Sequence, residues 1–199
     1  MESLRPLKKS VVITVNSSIL AMSWDGGNPY NRYWISNDAV VMKWTYWKQI
    51  KSAKCTKIVR SSWEKYEDKI NGFLMFDPRP TPENIINYSD QGLAYCSSVP
   101  SAIDLALQMG CKRIYLLGVD HYTDGSKSHF WQCWGHKKQP RGPLAPITQQ
   151  KQSFEHNMQA YEALNGFADF MDAKIYNCNE NSKVEIFEKI NFQDSLLRR

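Results

Sequence analysis

The residues best suited to chemistry are concentrated between His121 and His136. Three of the chain's four histidines fall within these 16 residues, among four tyrosine, phenylalanine and tryptophan side chains. Histidine exchanges protons near neutral pH, and aromatic rings stack on a base or a sugar ring. The stretch 121–146 is also long for a connection inside a compact domain. We therefore predict a mobile aromatic loop or lid over a functional site.

Polar residues follow three apolar runs that predict strands. These residues are Asn16, Asp38 and Asp120. In open parallel sheets, ligands bind outside the carboxyl ends of the strands. The Asn16 amide can pair with a base or ribose edge, and the Asp120 carboxylate can accept from a ribose hydroxyl or hold a metal bound by phosphates. Gly118 lets another group approach the backbone. Structural turns or helix caps remain the alternative for Asn16 and Asp120.

A serine pair precedes the most regular helical pattern in the chain. Ser97 and Ser98 open the stretch 98–109, Pro100 suits its first turn, and Gly110 suits its exit. The free N–H groups and the dipole of such a helix start attract anions, and two hydroxyls add donors. Simple helix capping is the alternative, and the two roles are compatible.

Two further sets of residues have the side chains of a general base and of metal ligands. His156 lies early in a predicted long helix, next in sequence to the aromatic loop, which makes it a candidate general base together with His129. A single helical histidine is otherwise more often structural. His129, Cys133 and His136 have gaps like those of metal ligands, but they match no common zinc motif and no CxxC supports them. We therefore predict no metal site.

The elements that must position these residues alternate along the chain. Strands are predicted over 10–16, 32–38, 55–60, 73–77, 113–120 and 174–179, and helices over 17–24, 39–52, 62–70, 98–109, 148–171 and 183–190. This alternation predicts an α/β fold with a mainly parallel, Rossmann-like sheet, helices on both faces and a long loop after the central strand.

Composition is that of one globular domain over residues 1–199. The chain is 42% hydrophobic and 23% charged, and its net charge of +5 permits an anionic partner without requiring one. The aromatic residues Trp34, Trp44 and Trp47 are expected in the core or on a helix face. No apolar run reaches the roughly 20 residues of a membrane span, and no signal peptide is recognisable. Five cysteines without a CxxC predict free thiols in a reducing cytoplasm.

Two blocks of sequence resemble a known group of nucleotide-using proteins. Residues 95–122 combine a serine pair, an alanine- and leucine-rich helix, the run Gly-Cys-Lys-Arg-Ile-Tyr-Leu-Leu-Gly-Val-Asp and an aromatic loop. Residues 173–182 resemble the group's closing strand and turn. The pattern is similar to the bacterial lipooligosaccharide sialyltransferases, the archaeal 6-hydroxymethyl-dihydropterin pyrophosphokinase-like proteins and phage proteins related to both.

This resemblance implies roles for individual residues. The implied lining of a nucleotide pocket is Asn16, Ser97, Ser98, Gly118 and Asp120. Tyr122 matches a tyrosine that stabilises the departing phosphate in the sialyltransferases, and His156 falls within one position of their general base. Tyr95 stands where those transferases have an arginine. Their first strand and Gly-Asn-Gly-Pro-Ser loop have no counterpart, so either the chain starts upstream or nucleotide binding is reduced.

The expected function is therefore a nucleotide-dependent transferase of the sialyltransferase type. It would move a sugar from a nucleotide-sugar donor to the hydroxyl of a glycan or small acceptor, with no required metal. One alternative is a pyrophosphokinase-like enzyme using Mg²⁺ near Asp120. Another is a non-catalytic nucleotide- or glycan-binding protein, in the host cytoplasm if phage-encoded. An uncovered sheet edge would favour a homo-oligomer.

Overall fold

The structure is a computed structural model that describes residues 10–21, 29–79, 93–94, 97–121 and 147–197. Its strands are β1 (Val12–Val15), β2 (Arg32–Ser36), β3 (Thr56–Arg60), β4 (Leu74–Phe76), β5 (Pro78–Arg79), β6 (Leu93–Ala94), β7 (Arg113–Leu116), β8 (Lys174–Asn177) and β9 (Glu188–Lys189). Its α-helices are α1 (Trp47–Ser52), α2 (Glu67–Ile70), α3 (Ser98–Gln108), α4 (Ile147–Phe170) and α5 (Phe192–Leu197). Short 3-10 helices cover Asn16–Ala21, Pro29–Asn31, Ala39–Lys43 and Ser61–Tyr66.

All strand pairs in the described residues are parallel. One sheet has the order β1-β2-β3-β4, a second has β7-β8-β9, and β5 pairs with β6. The predicted mainly parallel, Rossmann-like α/β fold is confirmed. The ladders are divided among three sheets, however, because no described strand joins the free edge of β1 to the free edge of β7.

Apolar side chains on both faces of the four-stranded sheet are buried. Trp34 and Val59 face a core formed with the 3-10 helices and α1, whereas Ile35 and Ile58 face a second core that includes Ala102 of α3. Successive residues of a strand point to opposite faces, so this division follows from the apolar runs in β2 and β3. The expectation of helices on both faces therefore holds for this sheet.

Helix α3 lies between the two larger sheets. Its residues Ile103 and Leu107 pack in a third core with Ile114 of β7 and Leu164 of α4. After α3 the chain reverses at Gly110, which has a φ of +78°, and β7 runs back along the helix. The carboxyl end of β7 therefore returns to the edge of the molecule at which α3 begins.

The predicted helix over 183–190 is wrong. Val184, Phe187 and Ile190 recur every three residues and are all buried, which imitates the period of a helix. The Ile190 N–H instead donates to the carbonyl of Asn177 at 3.1 Å, and this segment supplies β9. Val184 and Phe187 enter the core that also holds Ile175 of β8, from a segment that is not helical, so tertiary packing overrides the local pattern.

The predicted helix over 39–52 is interrupted. A 3-10 helix ends at Lys43, and Trp44 adopts an extended conformation before α1 begins at Trp47. Trp44 and Tyr46 are buried with their rings 5.4 Å apart, and a continuous helix could not direct both side chains into the same core. Much of the predicted helix over 62–70 is likewise 3-10.

Cysteines in the described residues carry free thiols at positions 55, 111 and 178. Burial raises the pKa of the Cys55 and Cys111 thiols, which disfavours the reactive thiolate. Among the helices that the structure describes, none combines the length and apolar character needed to cross a membrane.

Candidate functional site

Asn16 joins the carboxyl ends of β1 and β2 to the start of α3. Its side-chain Oδ1 accepts hydrogen bonds from Ser36 Oγ at 2.6 Å and from Ser98 Oγ at 3.4 Å. Its carbonyl accepts from the Trp34 ring nitrogen at 2.8 Å, and its φ is +51°. Asparagine tolerates this left-handed conformation better than most residues, which explains its use at this turn.

Asn37 is a buried polar residue that links the end of β2 to the first turn of α3. It is 8% exposed, and its backbone N–H donates to Ser98 Oγ while its Nδ2 donates to Ser101 Oγ, both at 2.9 Å. Its side-chain Oδ1 is buried and has no hydrogen-bond partner in the described residues. We refer to Asn16, Ser36, Asn37, Ser98 and Ser101 as the amide–hydroxyl cluster.

Sequence reasoning missed Asn37 and selected its neighbour. Asp38 is exposed, and its carboxylate accepts from the Val40 N–H at 2.9 Å, so it caps the following 3-10 helix. The signal for Asn37 was present, since it directly follows an apolar strand. Only the tertiary structure separates the inward amide from the outward carboxylate.

The start of α3 has one serine directed into the fold and one that is not used as a cap. Ser97 occupies the cap position in an extended conformation, but its side chain makes no capping hydrogen bond. Ser98 is 5% exposed, and its hydroxyl links Asn37 to Asn16. The hydroxyl of Ser98 is therefore structural, whereas Ser97 and the first-turn N–H groups remain the predicted anion-binding donors.

A second group of polar side chains follows the end of β7. The half-buried Asp120 carboxylate accepts from the Asn179 side-chain amide, and its backbone carbonyl accepts from the Lys183 N–H at 2.9 Å. Asn177 is fully buried, and its Nδ2 donates to the Val119 carbonyl at 3.1 Å. The closing turn predicted from residues 173–182 thus holds Asp120 in place.

Ser182 completes this turn. Its hydroxyl donates to the Val119 carbonyl at 2.8 Å and accepts from the Val184 N–H at 3.0 Å. Asn177 Oδ1 accepts from the Asn179 N–H at 3.1 Å. The polar groups beneath Asp120 are therefore paired, and the backbone at this end of β7 and β8 is fixed from below.

The sequence predicts His121 only as the first residue of the aromatic loop, and it is the part of that loop that the structure describes. Its Nε2 lies 3.0 Å from the hydroxyl of Tyr161, which is fully buried on α4. Its ring packs against Phe154 and Tyr161, with centroids 5.1 and 5.6 Å away. Burial lowers the pKa of His121, and the nearby Asp120 charge opposes this shift. We refer to Asp120, His121, Tyr161, Asn177, Asn179 and Ser182 as the aspartate–histidine cluster.

Gly118 has a φ of +72°, and no described atom lies within 4 Å of where a Cβ would stand. Its backbone conformation alone accounts for glycine at this position. The approach of another group to its backbone stays a prediction.

Of the predicted catalytic residues, His156 is the one that the structure describes. It is exposed on α4, five positions before Tyr161, and its neighbour Asn157 is buried with a side-chain oxygen that has no partner among the described residues. Tyr122, His129 and most of the predicted lid lie outside the described residues. The two clusters, in contrast, both stand at the edge where α3 begins, since β7 returns there along the helix.

The donor set at this edge is rich in amides and hydroxyls. No group of three or more histidine, cysteine, aspartate or glutamate side chains that could hold a metal ion occurs in the part of the chain that the structure describes. No protein-family model, curated protein or solved structure matches the chain.

Proposed function

We propose that this protein binds a nucleotide-sugar donor across the edge formed by the two clusters and transfers the sugar to an acceptor hydroxyl. The observation that carries the proposal is the buried Asn37 Oδ1 without a described partner, beside the first turn of α3. The parallel α/β architecture supports it, because ligands of such sheets bind at this edge.

An unpartnered acceptor in a buried position costs about 1–3 kcal/mol. A ligand that donates a hydrogen bond to Asn37 recovers part of this cost, and the amino group of a base or a ribose hydroxyl is such a donor. The start of α3 beside it favours phosphate, with Ser97 as an additional donor. The Asn37 oxygen would accept from the base or ribose, and the start of α3 would bind the phosphate. The two positions therefore match the two ends of a nucleotide.

The transfer itself requires a base and a group that supports the leaving phosphate. As the resemblance implies, His156 takes the proton of the acceptor hydroxyl while the hydroxyl oxygen bonds to the anomeric carbon of the sugar. The carbon–oxygen bond to phosphate breaks with its electron pair on the phosphate, which Tyr122 stabilises. His156 is exposed, so a solvent-borne acceptor can reach it. Asp120, steadied by Asn179, accepts from the ribose.

A thermal-shift panel tests the proposal. CMP, UDP, GDP, ATP and their sugar conjugates are added with and without Mg²⁺, and a ligand that binds only the folded protein raises Tm. We expect at least one nucleotide to do so. Ser97→Ala should weaken that shift while leaving the Tm of the free protein unchanged, because the Ser97 side chain makes no capping bond. Ser52→Ala, at an exposed position of α1, is the matched control.

The panel also separates the alternatives. A shift and turnover that require Mg²⁺ with ATP would replace the proposal with the pyrophosphokinase-like function. A shift without turnover of any conjugate would leave a nucleotide- or glycan-binding protein. If no nucleotide changes Tm, nucleotide use at this edge is refuted.

A further inference from the structure

His121 has a left-handed backbone conformation. Its φ is +46°, a value that costs energy in residues other than glycine, although histidine, asparagine and aspartate adopt it more readily than most. Such strain persists where neighbouring contacts determine it, and it occurs most often at functional positions. Here the contacts are the Tyr161 hydroxyl and the ring of Phe154, both from α4. The strained residue immediately follows Asp120 at the edge assigned to the nucleotide.

The hydrogen bond between His121 Nε2 and the Tyr161 hydroxyl can run in either direction, and its direction fixes which ring nitrogen carries the proton. The stronger of the two arrangements has the more acidic O–H as the donor to Nε2. The single proton of the neutral ring then resides on Nδ1. Nδ1 makes no hydrogen bond in the described residues, and the side chain is partly exposed. His121 therefore offers one oriented N–H donor to a ligand.

We propose that the Nδ1–H of His121 is a hydrogen-bond donor to the departing phosphate, with Tyr161 as the positioning residue. This inference rests on the proposed function and adds a group that the sequence did not supply. The anomeric carbon–oxygen bond breaks, its electron pair goes to the phosphate oxygen, and the Nδ1–H donates to that oxygen without losing its proton. The acceptor proton goes to the base as before, so charge and atoms balance.

A neutral donor suits this task because it strengthens as negative charge develops on the phosphate. Among the described residues, the ionisable groups that face the ring are Asp120 and Tyr161. Burial against Phe154 and Tyr161 lowers the pKa of His121, which favours the neutral ring near pH 7. A protonated ring would carry hydrogens on both nitrogens and would lose the bond from the Tyr161 hydroxyl.

The first test needs no substrate. Nitrogen-15 NMR of the histidine rings in the wild-type protein at pH 7 should show His121 neutral with its proton on Nδ1. In Tyr161→Phe the same ring should lose this fixed tautomer. A proton on Nε2 in the wild type would overturn the inference.

The second test uses the nucleotide and sugar conjugate identified by the thermal-shift panel. His121→Asn preserves a residue that tolerates positive φ and removes the ring. We expect kcat to fall about 100-fold, as for loss of one donor to a developing anion, with the Kd of the free nucleotide nearly unchanged. Tyr161→Phe should give a smaller loss of kcat. Tyr115→Phe, whose ring stacks on Tyr176 instead, should leave kcat unaltered.

The outcomes distinguish the two proposals. If the wild type turns over a conjugate and His121→Asn is equally fast, the inference fails and the proposed function stands. If the wild type binds and turns over nothing in the panel, the proposed function fails, and the role of His121 fails with it.

Discussion

The amide–hydroxyl cluster is neutral and contains a buried oxygen without a partner among the described residues. The aspartate–histidine cluster contains titratable groups above polar side chains that are hydrogen-bonded. The oxygen without a partner is Asn37 Oδ1. Beneath Asp120, by contrast, Asn177 and Ser182 each pair in two directions. A buried acceptor left open is suited to recognising a ligand, and a titratable group on rigid support is suited to handling a proton.

The two clusters also lie on different elements of the fold. The first lies at the ends of β1 and β2, and the second lies at the ends of β7 and β8. Helix α3 begins at the first cluster and packs through Ile103 and Leu107 on the core beneath the second. A ligand that spans both must cross the start of α3, where phosphate binding is most favourable.

The largest expected loss of stability comes from the hydrogen-bonded polar side chains beneath Asp120. Asn177→Leu removes both hydrogen bonds of a fully buried amide and should lower the free energy of unfolding by about 3 kcal/mol. Urea denaturation followed by fluorescence measures it. The control Asn191→Ala removes an exposed side-chain bond to the Gln193 N–H and should cost about 1 kcal/mol or less. Equal losses in the two variants would show that the side chains beneath Asp120 are not tightly hydrogen-bonded.

An intermediate effect is expected in the amide–hydroxyl cluster. Asn16→Ala removes the acceptor of Ser36 and Ser98 and forces alanine to a φ of +51°, so it should cost about 2 kcal/mol. Asn16→Gly removes the same acceptor without that steric cost and should lose about 1 kcal/mol. Urea midpoints compare the two. If Asn16→Ala is as stable as Asn16→Gly, the backbone at position 16 is not left-handed in solution.

The pH dependence of stability separates the clusters, because only the second contains a histidine. The folded pKa of His121 lies below its ordinary value of 6.5, so the unfolded chain binds more protons between the two pKa values. Stability from His121 is therefore complete above pH 6.5, falls as the pH drops below it, and levels off below the folded pKa. Urea denaturation of the wild type and His121→Asn from pH 7.5 to 5 should show a steeper loss for the wild type. Parallel curves would contradict a histidine whose pKa is lowered by the fold.

The smallest effect lies away from both clusters. Lys174 and Asp169 form an ion pair of 2.8 Å, but their side chains are 65% and 54% exposed. Exposed pairs of this kind are screened by solvent and salt. Lys174→Ala should therefore leave the urea midpoint within experimental error at physiological ionic strength. A clear loss would indicate that this pair supports the pairing of β8, which begins at Lys174.

Much of the fold could be predicted from the sequence. The β-branched and apolar residues of β1, β3 and β7 and the boundaries of α3, set by Pro100 and Gly110, are local features whose physical causes lie within a few residues. The helix predicted over 183–190 is wrong because three buried residues at helical spacing also fit an irregular segment that ends in the two-residue strand β9, paired beside β8. Periodicity alone does not distinguish these cases.

The sequence predicted which strand and helix ends carry the candidate site, but not the direction in which their side chains point. Asn16, Ser98 and Asp120 follow or precede regular elements, and parallel strands bring such positions to one edge. Whether each side chain faces the fold or the ligand depends on partners far away in sequence, such as Ser98 for Asn37 and Tyr161 for His121.

The sequence by itself determined the alternation of strands and helices, the parallel α/β class and the polar character of the strand ends, because these depend on local spacing and side-chain chemistry. Only the tertiary structure decided that the buried Asn37 oxygen has no partner among the described residues and that His121, in a left-handed conformation, contacts Tyr161. Hydrogen bonding and desolvation between residues 40 or more positions apart are set by how the helices pack on the sheets, and no local pattern contains that information.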